Sequence, residues 1–137
     1  AMGNIQSQQS GCPNSISQYA AVAALEGDQE CVEHMRREFE VRRDLVCDRL
    51  KKLPGVKSFV PEGAFYAFFD VSAHFGRTLA GRRVSDSTSF CQAALECAHV
   101  NVVTGTAFGA EGYVRLSYAT SREQLQAGLD RLEQFLR

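Results

Sequence analysis

The sequence predicts an α/β chain of the α+β sandwich type, a small and mostly antiparallel sheet with helices packed on it. Three observations carry this. Apolar residues recur at helical spacing through residues 16–25, 28–53, 86–98 and 125–136. Short apolar runs rich in β-branched and aromatic residues occupy 56–60, 64–69, 100–103 and 113–119. The first two of these runs are joined by Pro61-Glu62-Gly63, a hairpin signal with glycine in the turn. The order is helix, long helix, two strands, helix, two strands, helix.

Taken from the N-terminus, residues 3–13 are polar and lack a helical period, which predicts an extended or looped entry. Pro13 disfavours helix at Cys12. Asn14 or Ser15 can cap the first helix, because their oxygens accept otherwise orphaned N–H groups. Ile16, Tyr19, Ala20, Ala23 and Ala24 carry its period, and Gly27 stops it. Asp28 starts the long helix, which runs to about Leu53 with Val32, Met35, Phe39, Val46, Leu50 and Leu53 as its apolar stripe. Glu33/Arg37, Arg36/Glu40 and Glu38/Arg42 are opposite charges four residues apart, and they read as a solvated face. Pro54-Gly55 ends it.

Ala64-Phe65-Tyr66-Ala67-Phe68-Phe69 is nearly all apolar, which predicts an interior strand covered on both faces. Residues 72–85 hold Gly76, Gly81, Arg77, Arg82 and Arg83, and read as a mobile surface excursion. Ser85 or Asp86 caps a helix to about Ala98, with Phe90, Ala94, Leu95 and Ala98 inward. Thr120 to Gln124 offers a capping box for the last helix, which buries Leu125, Leu129, Leu132 and Leu136.

Composition narrows the function classes. A chain of 137 residues fits one domain with a real core. A net charge of −1 gives no electrostatic case for nucleic acid or an anionic membrane. No apolar run approaches a membrane span, and none reads as a signal peptide. Ala1 ahead of Met2-Gly3 reads as a remnant ahead of a native initiator. Cys12, Cys31, Cys47, Cys91 and Cys97 are an odd number and read as reduced thiols of a cytoplasmic protein. With no Cys-x-x-Cys pair and Cys97-Ala98-His99 isolated, no metal site is expected.

Catalytic constellations are sparse. His34, His74 and His99 have no nucleophile or carboxylate at recognisable spacing and read as structural or solvated. There is no Gly-x-Ser-x-Gly elbow. The turn Thr104 to Gly112 is neither a phosphate-binding loop nor a dinucleotide fingerprint, so its glycines read as conformational. What stands out is Arg115, one charge in the apolar strand Tyr113-Val114-Arg115-Leu116-Ser117-Tyr118-Ala119. Alternation puts Tyr113, Arg115 and Ser117 on one face and Val114, Leu116 and Tyr118 on the other. A guanidinium is costly to bury unpaired and pairs best with a carboxylate or phosphate through two parallel hydrogen bonds. Spacing alone leaves two readings: an edge-strand arginine that snorkels to water or pairs with a carboxylate inside the domain, or a holder of a small carboxylate.

A further set of stretches occurs in one order along the chain: Gln6 to Gln18, Ala20 to Leu25, Pro61-Glu62-Gly63-Ala64-Phe65-Tyr66, Gly105-Thr106-Ala107-Phe108-Gly109 and Tyr113 to Ala119. In these the chain resembles the C-terminal part of the class I pyridoxal-phosphate-dependent aminotransferases, most closely the bacterial-type aspartate aminotransferase branch. The resemblance implies the small-domain fold of fold-type I enzymes. It also implies a division into residues 1–27, matching the end of the family's large domain, and residues 28–137, matching its small domain. It implies that Arg115 grips a substrate α-carboxylate and that the small domain closes over the substrate as a lid. Two departures from the family pattern stand out: the family often has proline where Thr104 stands, and an asparagine near Cys12.

By the same resemblance, the chemistry belongs to pyridoxal phosphate held as a Schiff base by a lysine. That lysine lies upstream of the Gln-Ser-Gln stretch, and none of Lys51, Lys52 and Lys57 matches it. The chain is therefore expected to be the last third of an enzyme for amino-group transfer between an amino acid and a 2-oxo acid. Alone it is expected to be inactive, with no catalytic residue and no cofactor bound. The alternative is a stand-alone carboxylate-binding or assembly module derived from that domain. In either case the apolar helix near the N-terminus is expected to drive homo-oligomerisation.

Overall fold

A computed structural model describes all 137 residues. The chain divides into two compact units, Ala1–Met35 and Arg36–Arg137.

The first unit departs from the expected looped entry. Met2–Gln9 forms a helix, α1, with the Ser7 hydroxyl donating to the Asn4 carbonyl. It has no buried residue, so no apolar period marks it; glutamine and methionine are simply good helix formers. The second helix, α2, spans Ser15–Glu26, with the Asn14 carboxamide oxygen accepting from the Ile16 N–H at 2.9 Å. Gly27 ends it. Its apolar residues have no cover within the unit: Ile16 is 78% and Tyr19 80% exposed.

The long helix α3 spans Glu30–Leu50, with Asp28 accepting from the Glu30 N–H. Its stripe is buried only towards the C-terminus. Val46, Leu50 and Leu53 are core residues, while Val32 and Met35 are exposed. Strands β1 (Lys57–Ser58) and β2 (Tyr66–Asp70) form the expected hairpin, Lys57 opposite Asp70. After β2, residues 72–85 fold more tightly than an excursion. A 3-10 turn, Ser72–His74, leads into the small hairpin β3 (Thr78–Leu79) and β4 (Arg82–Arg83). His74, Leu79 and Val84 are buried, which the abundant glycine and arginine around them concealed.

Asp86 caps α4 (Ser87–Ala98) through a reciprocal capping box with Ser89. This helix turns Phe90, Ala93, Ala94 and Ala98 inward, and leaves Leu95 exposed, against expectation. Strand β5 is only Val103–Thr104, and β6 is Tyr113–Ser117. Ser121 caps α5 (Arg122–Leu136), accepting from the Gln124 N–H. Leu125, Leu129, Leu132 and Leu136 are buried as the period requires.

The main sheet runs β1-β2-β6-β5, antiparallel throughout. One face packs on helices: Ala67 and Phe69 of β2 and Val114 and Leu116 of β6 join residues of α3, α4 and α5 in a single core. Each fully buried Phe or Leu there contributes about 1.5–3 kcal/mol by leaving water. The other face stays half open, so β2 is interior in the sheet but covered on one side only. Its period is strand-like alternation, hidden in the sequence because both faces carry aromatic residues.

The charged face of α3 also differs from its reading as simply solvated. Arg42 and Arg36 do bond Glu38 and Glu40 four residues apart, at 2.8 and 3.1 Å. But Glu38 also accepts two bonds from Arg122 on α5, and Arg49 reaches Asp130 and Glu133 of that helix. Hydrogen bonds from Arg122 first and Arg42 second hold the Glu38 carboxyl down at about 2. Part of this face is thus the polar rim of the α3–α5 contact.

Candidate functional site

The open face of the sheet presents Tyr66, Phe68 and Asp70 from β2 beside Tyr113, Arg115 and Ser117 from β6. Antiparallel register sets Arg115 directly between Phe68 and Val103. Neutral neighbours on both sides leave its charge uncompensated. Arg115 makes no hydrogen bond and no ion pair within the chain, and β6 lies between β2 and β5, so it is neither an edge arginine nor paired inside the domain. A guanidinium that reaches water and one that holds a small carboxylate both fit its half-buried place. Instead its guanidinium carbon lies over two ring faces, Tyr66 at 4.3 Å and Phe108 at 4.6 Å. None of its N–H groups has a hydrogen-bond partner in the chain, so all of its donors are unused.

The aromatic group continues beyond Arg115. Phe68 stacks on Tyr113 with centroids 5.1 Å apart, and its ring meets Phe108 edge-on at 6.2 Å. Phe108 comes from a 3-10 turn, Gly105–Phe108, closed by Gly109 in the left-handed region at φ 71°. Gly109 and Gly112 need positive φ, as expected, whereas Gly105 is required for space: a Cβ there would sit 2.5 Å from the Tyr113 carbonyl oxygen and closer still to that of Ala110.

A polar brace ties this turn to α4. Glu111 accepts from the Ser87 N–H at 2.8 Å and from the Thr106 hydroxyl. The buried Ser87 hydroxyl in turn accepts from the Gly112 N–H at 2.9 Å. The Thr106 hydrogen bond, then that from Ser87, lowers the Glu111 carboxyl below its ordinary range, so it stays an acceptor at neutral pH. Sequence reasoning singled out Arg115 but missed Tyr66, Phe108, Ser87 and Glu111 as its surroundings. Strand alternation could have placed Tyr66 on the face of Arg115; nothing local marks Phe108.

Other reactive groups lie elsewhere or are quiet. Burial first, and Glu111 second, push the Cys91 thiol up to about 11, which leaves almost no thiolate at neutral pH. His74 is buried, its Nδ1 accepting from Arg77 at 3.0 Å and its Nε2 donating to the Pro54 carbonyl at 2.9 Å, so both ring nitrogens are engaged. A hollow of about 200 Å³ between α5 and the end of β6 is lined by His99, Asn101, Thr120 and Arg131 among others, and leaves Arg115 outside. Lys51, Lys52 and Lys57 are all exposed; Lys51 lies 4.0 Å from Asp48, and Lys57 stands opposite Asp70. A lysine that captures a carbonyl must shed its proton, which burial or a neighbouring cation achieves. These lysines have the opposite surroundings, so the residues present do not fit an anchor for pyridoxal phosphate.

Fold and site together define a class: an α/β domain that presents an unpaired guanidinium, flanked by ring faces, on the open side of an antiparallel sheet. Residues 1–132 match the model of the family described as aminotransferase class I and II. The chain belongs to that family, in which pyridoxal phosphate is the cofactor. It is 46% identical to an aspartate aminotransferase of Rhizobium meliloti over 96% of its own length and 32% of the relative's. It is 44% identical to an aspartate/prephenate aminotransferase of Nitrosomonas europaea, over 99% of this chain and 35% of that one. The crystal structure of the aspartate aminotransferase from Rhizobium meliloti superposes with a TM-score of 0.91 at 43% identity, over 98% of this chain and 34% of that chain. The chain thus spans about a third of the length of the curated relatives it matches.

Proposed function

We propose that this chain supplies the substrate-carboxylate grip of an aspartate-aminotransferase-like enzyme, with Arg115 binding the α-carboxylate of an amino acid or 2-oxo acid. One observation carries this: a guanidinium with no anion in its own domain, on an open sheet face, flanked by rings and with its donors unused. Two parallel N–H···O bonds would fix the carboxylate in the guanidinium plane and so orient the rest of the substrate. Cofactor chemistry belongs to a part of the enzyme that this chain does not resemble. By itself the chain holds a carboxylate and does not transfer amino groups.

Isothermal calorimetry with 2-oxoglutarate and with L-aspartate, wild type against Arg115→Ala, tests the reading. Saturable heat lost in Arg115→Ala supports it; heat that does not depend on Arg115 overturns it.

Residues 1–27 belong in this reading to the end of a large domain and residues 28–137 to the small domain. The uncovered apolar face of α2 supports that division, since Ile16, Tyr19 and Leu25 need a partner surface. With this chain alone, a second copy covers it and a homo-oligomer forms. Light scattering that finds a monomer at every concentration would refute this. Five free thiols suit a reducing cytoplasm.

A further inference from the structure

We propose that Phe108, with Tyr66, is a positioning residue: the two rings clamp the Arg115 guanidinium so that its edge is aimed before any ligand arrives. The proposal rests on Arg115 as the carboxylate grip and adds how the grip is held.

Three observations point to it. First, the guanidinium is 4.3 and 4.6 Å from the two ring centroids, both inside the range of a cation–π contact. No hydrogen bond or ion pair orients it otherwise, so the rings are what sets its plane. Second, Phe108 is 49% exposed and absent from the hydrophobic core. Core packing does not explain a large apolar ring there. Its neighbours are Arg115 and the edge-on Phe68. Third, the turn carrying Phe108 is held at several points. Thr104 caps it, Gly109 closes it in the left-handed region, and the Glu111 carboxylate ties Thr106 to Ser87 at the start of α4. A ring on a braced turn can keep its place while half in water.

The two rings come from different sources, and this matters. Tyr66 rises from a central strand of the sheet, diagonal to Arg115. Phe108 arrives from the turn before β6. An arginine on an open face otherwise samples many rotamers, and a ligand must halt them at an entropic cost. The clamp removes much of that cost in advance. It also occupies the planar surface of the guanidinium, so a carboxylate approaches at the edge, where two N–H groups can meet its two oxygens.

The test uses the full chain labelled with 15N. The Arg115 Nε–H signal is assigned by its loss in Arg115→Lys. Rotation about the Cζ–Nε bond is then measured without ligand in wild type, Phe108→Leu, Phe108→Tyr and Tyr66→Leu, followed by titration with 2-oxoglutarate. Phe108→Leu should speed the rotation several-fold and weaken 2-oxoglutarate binding about five-fold, the loss of one ring-face contact. Phe108→Tyr keeps the ring face and should leave both readings as in wild type, which separates the clamp from simple apolar bulk. Rotation in Phe108→Leu and Tyr66→Leu as slow as in wild type overturns the clamp, whatever the ligand does. If rotation speeds up as expected but wild type binds no 2-oxoglutarate, the clamp stands and the carboxylate reading of Arg115 falls.

Discussion

Replacing Gly105 by alanine tests whether the turn in front of β6 is set by space and not by glycine flexibility. Gly105 has no positive φ, so the alanine backbone would be unstrained. Its new Cβ, however, would meet three backbone atoms: the Ala110 carbonyl oxygen, the Tyr113 carbonyl oxygen at 2.5 Å and the Tyr113 carbonyl carbon at 2.9 Å. Backbone cannot swing aside as a flexible side chain can, so turn and strand must separate. Overpacking of this kind costs about 1–3 kcal/mol, and the absence of any freedom to yield places Gly105→Ala at the upper end. Gly63→Ala is the control, since nothing lies within 4 Å and φ is not positive; it should be neutral or more stable by up to about 1 kcal/mol. The assay is urea unfolding followed by circular dichroism. Tyr113 lies two residues before Arg115 on β6, so Gly105→Ala should also weaken 2-oxoglutarate binding. A Gly105→Ala chain as stable as Gly63→Ala, with undiminished binding, would refute the steric account.

Ser87→Ala removes a buried hydroxyl and orphans the Gly112 N–H that it accepts, so it should cost about 1–3 kcal/mol in urea unfolding. Burial holds His74 neutral, its value below the ordinary 6.5, so its contribution to stability is complete above about pH 6.5 and is lost as pH falls towards the lowered folded value. Urea midpoints at pH 7.5 and 5.5 should therefore converge in His74→Gln relative to wild type. Glu38 has the same sign at lower pH: its carboxyl is stabilising above the ordinary 4.5, and that support disappears as pH falls through about 2. In Glu38→Gln the acid-unfolding curve over that window should flatten; an unchanged curve would show that the bond to Arg122 contributes nothing.

Much of the fold was legible because it is local. Asn14, Asp86 and Ser121 cap their helices through bonds to N–H groups two or three residues on. The leucines of α5 sit at helical spacing, and the turn at 61–63 announces its hairpin. Errors arose where local pattern is silent. No period marks α1, because none of its residues is buried. The buried His74, Leu79 and Val84 lie among residues typical of exposed loops. Leu95 falls one helical position off the face that Ala93 and Ala94 fill.

That Arg115 lies on one face of a strand with apolar residues on the other follows from residue order alone, because strand side chains alternate whatever the surroundings. Which face stays open, that no carboxylate of the domain reaches Arg115, and that Phe108 does, depend on packing in three dimensions. Likewise Glu38 meets Arg122 across 84 positions of chain. The difference is one of range: caps and periods are interactions within a turn or two. The company a guanidinium keeps depends on how separate elements pack, and no spacing along the chain records it.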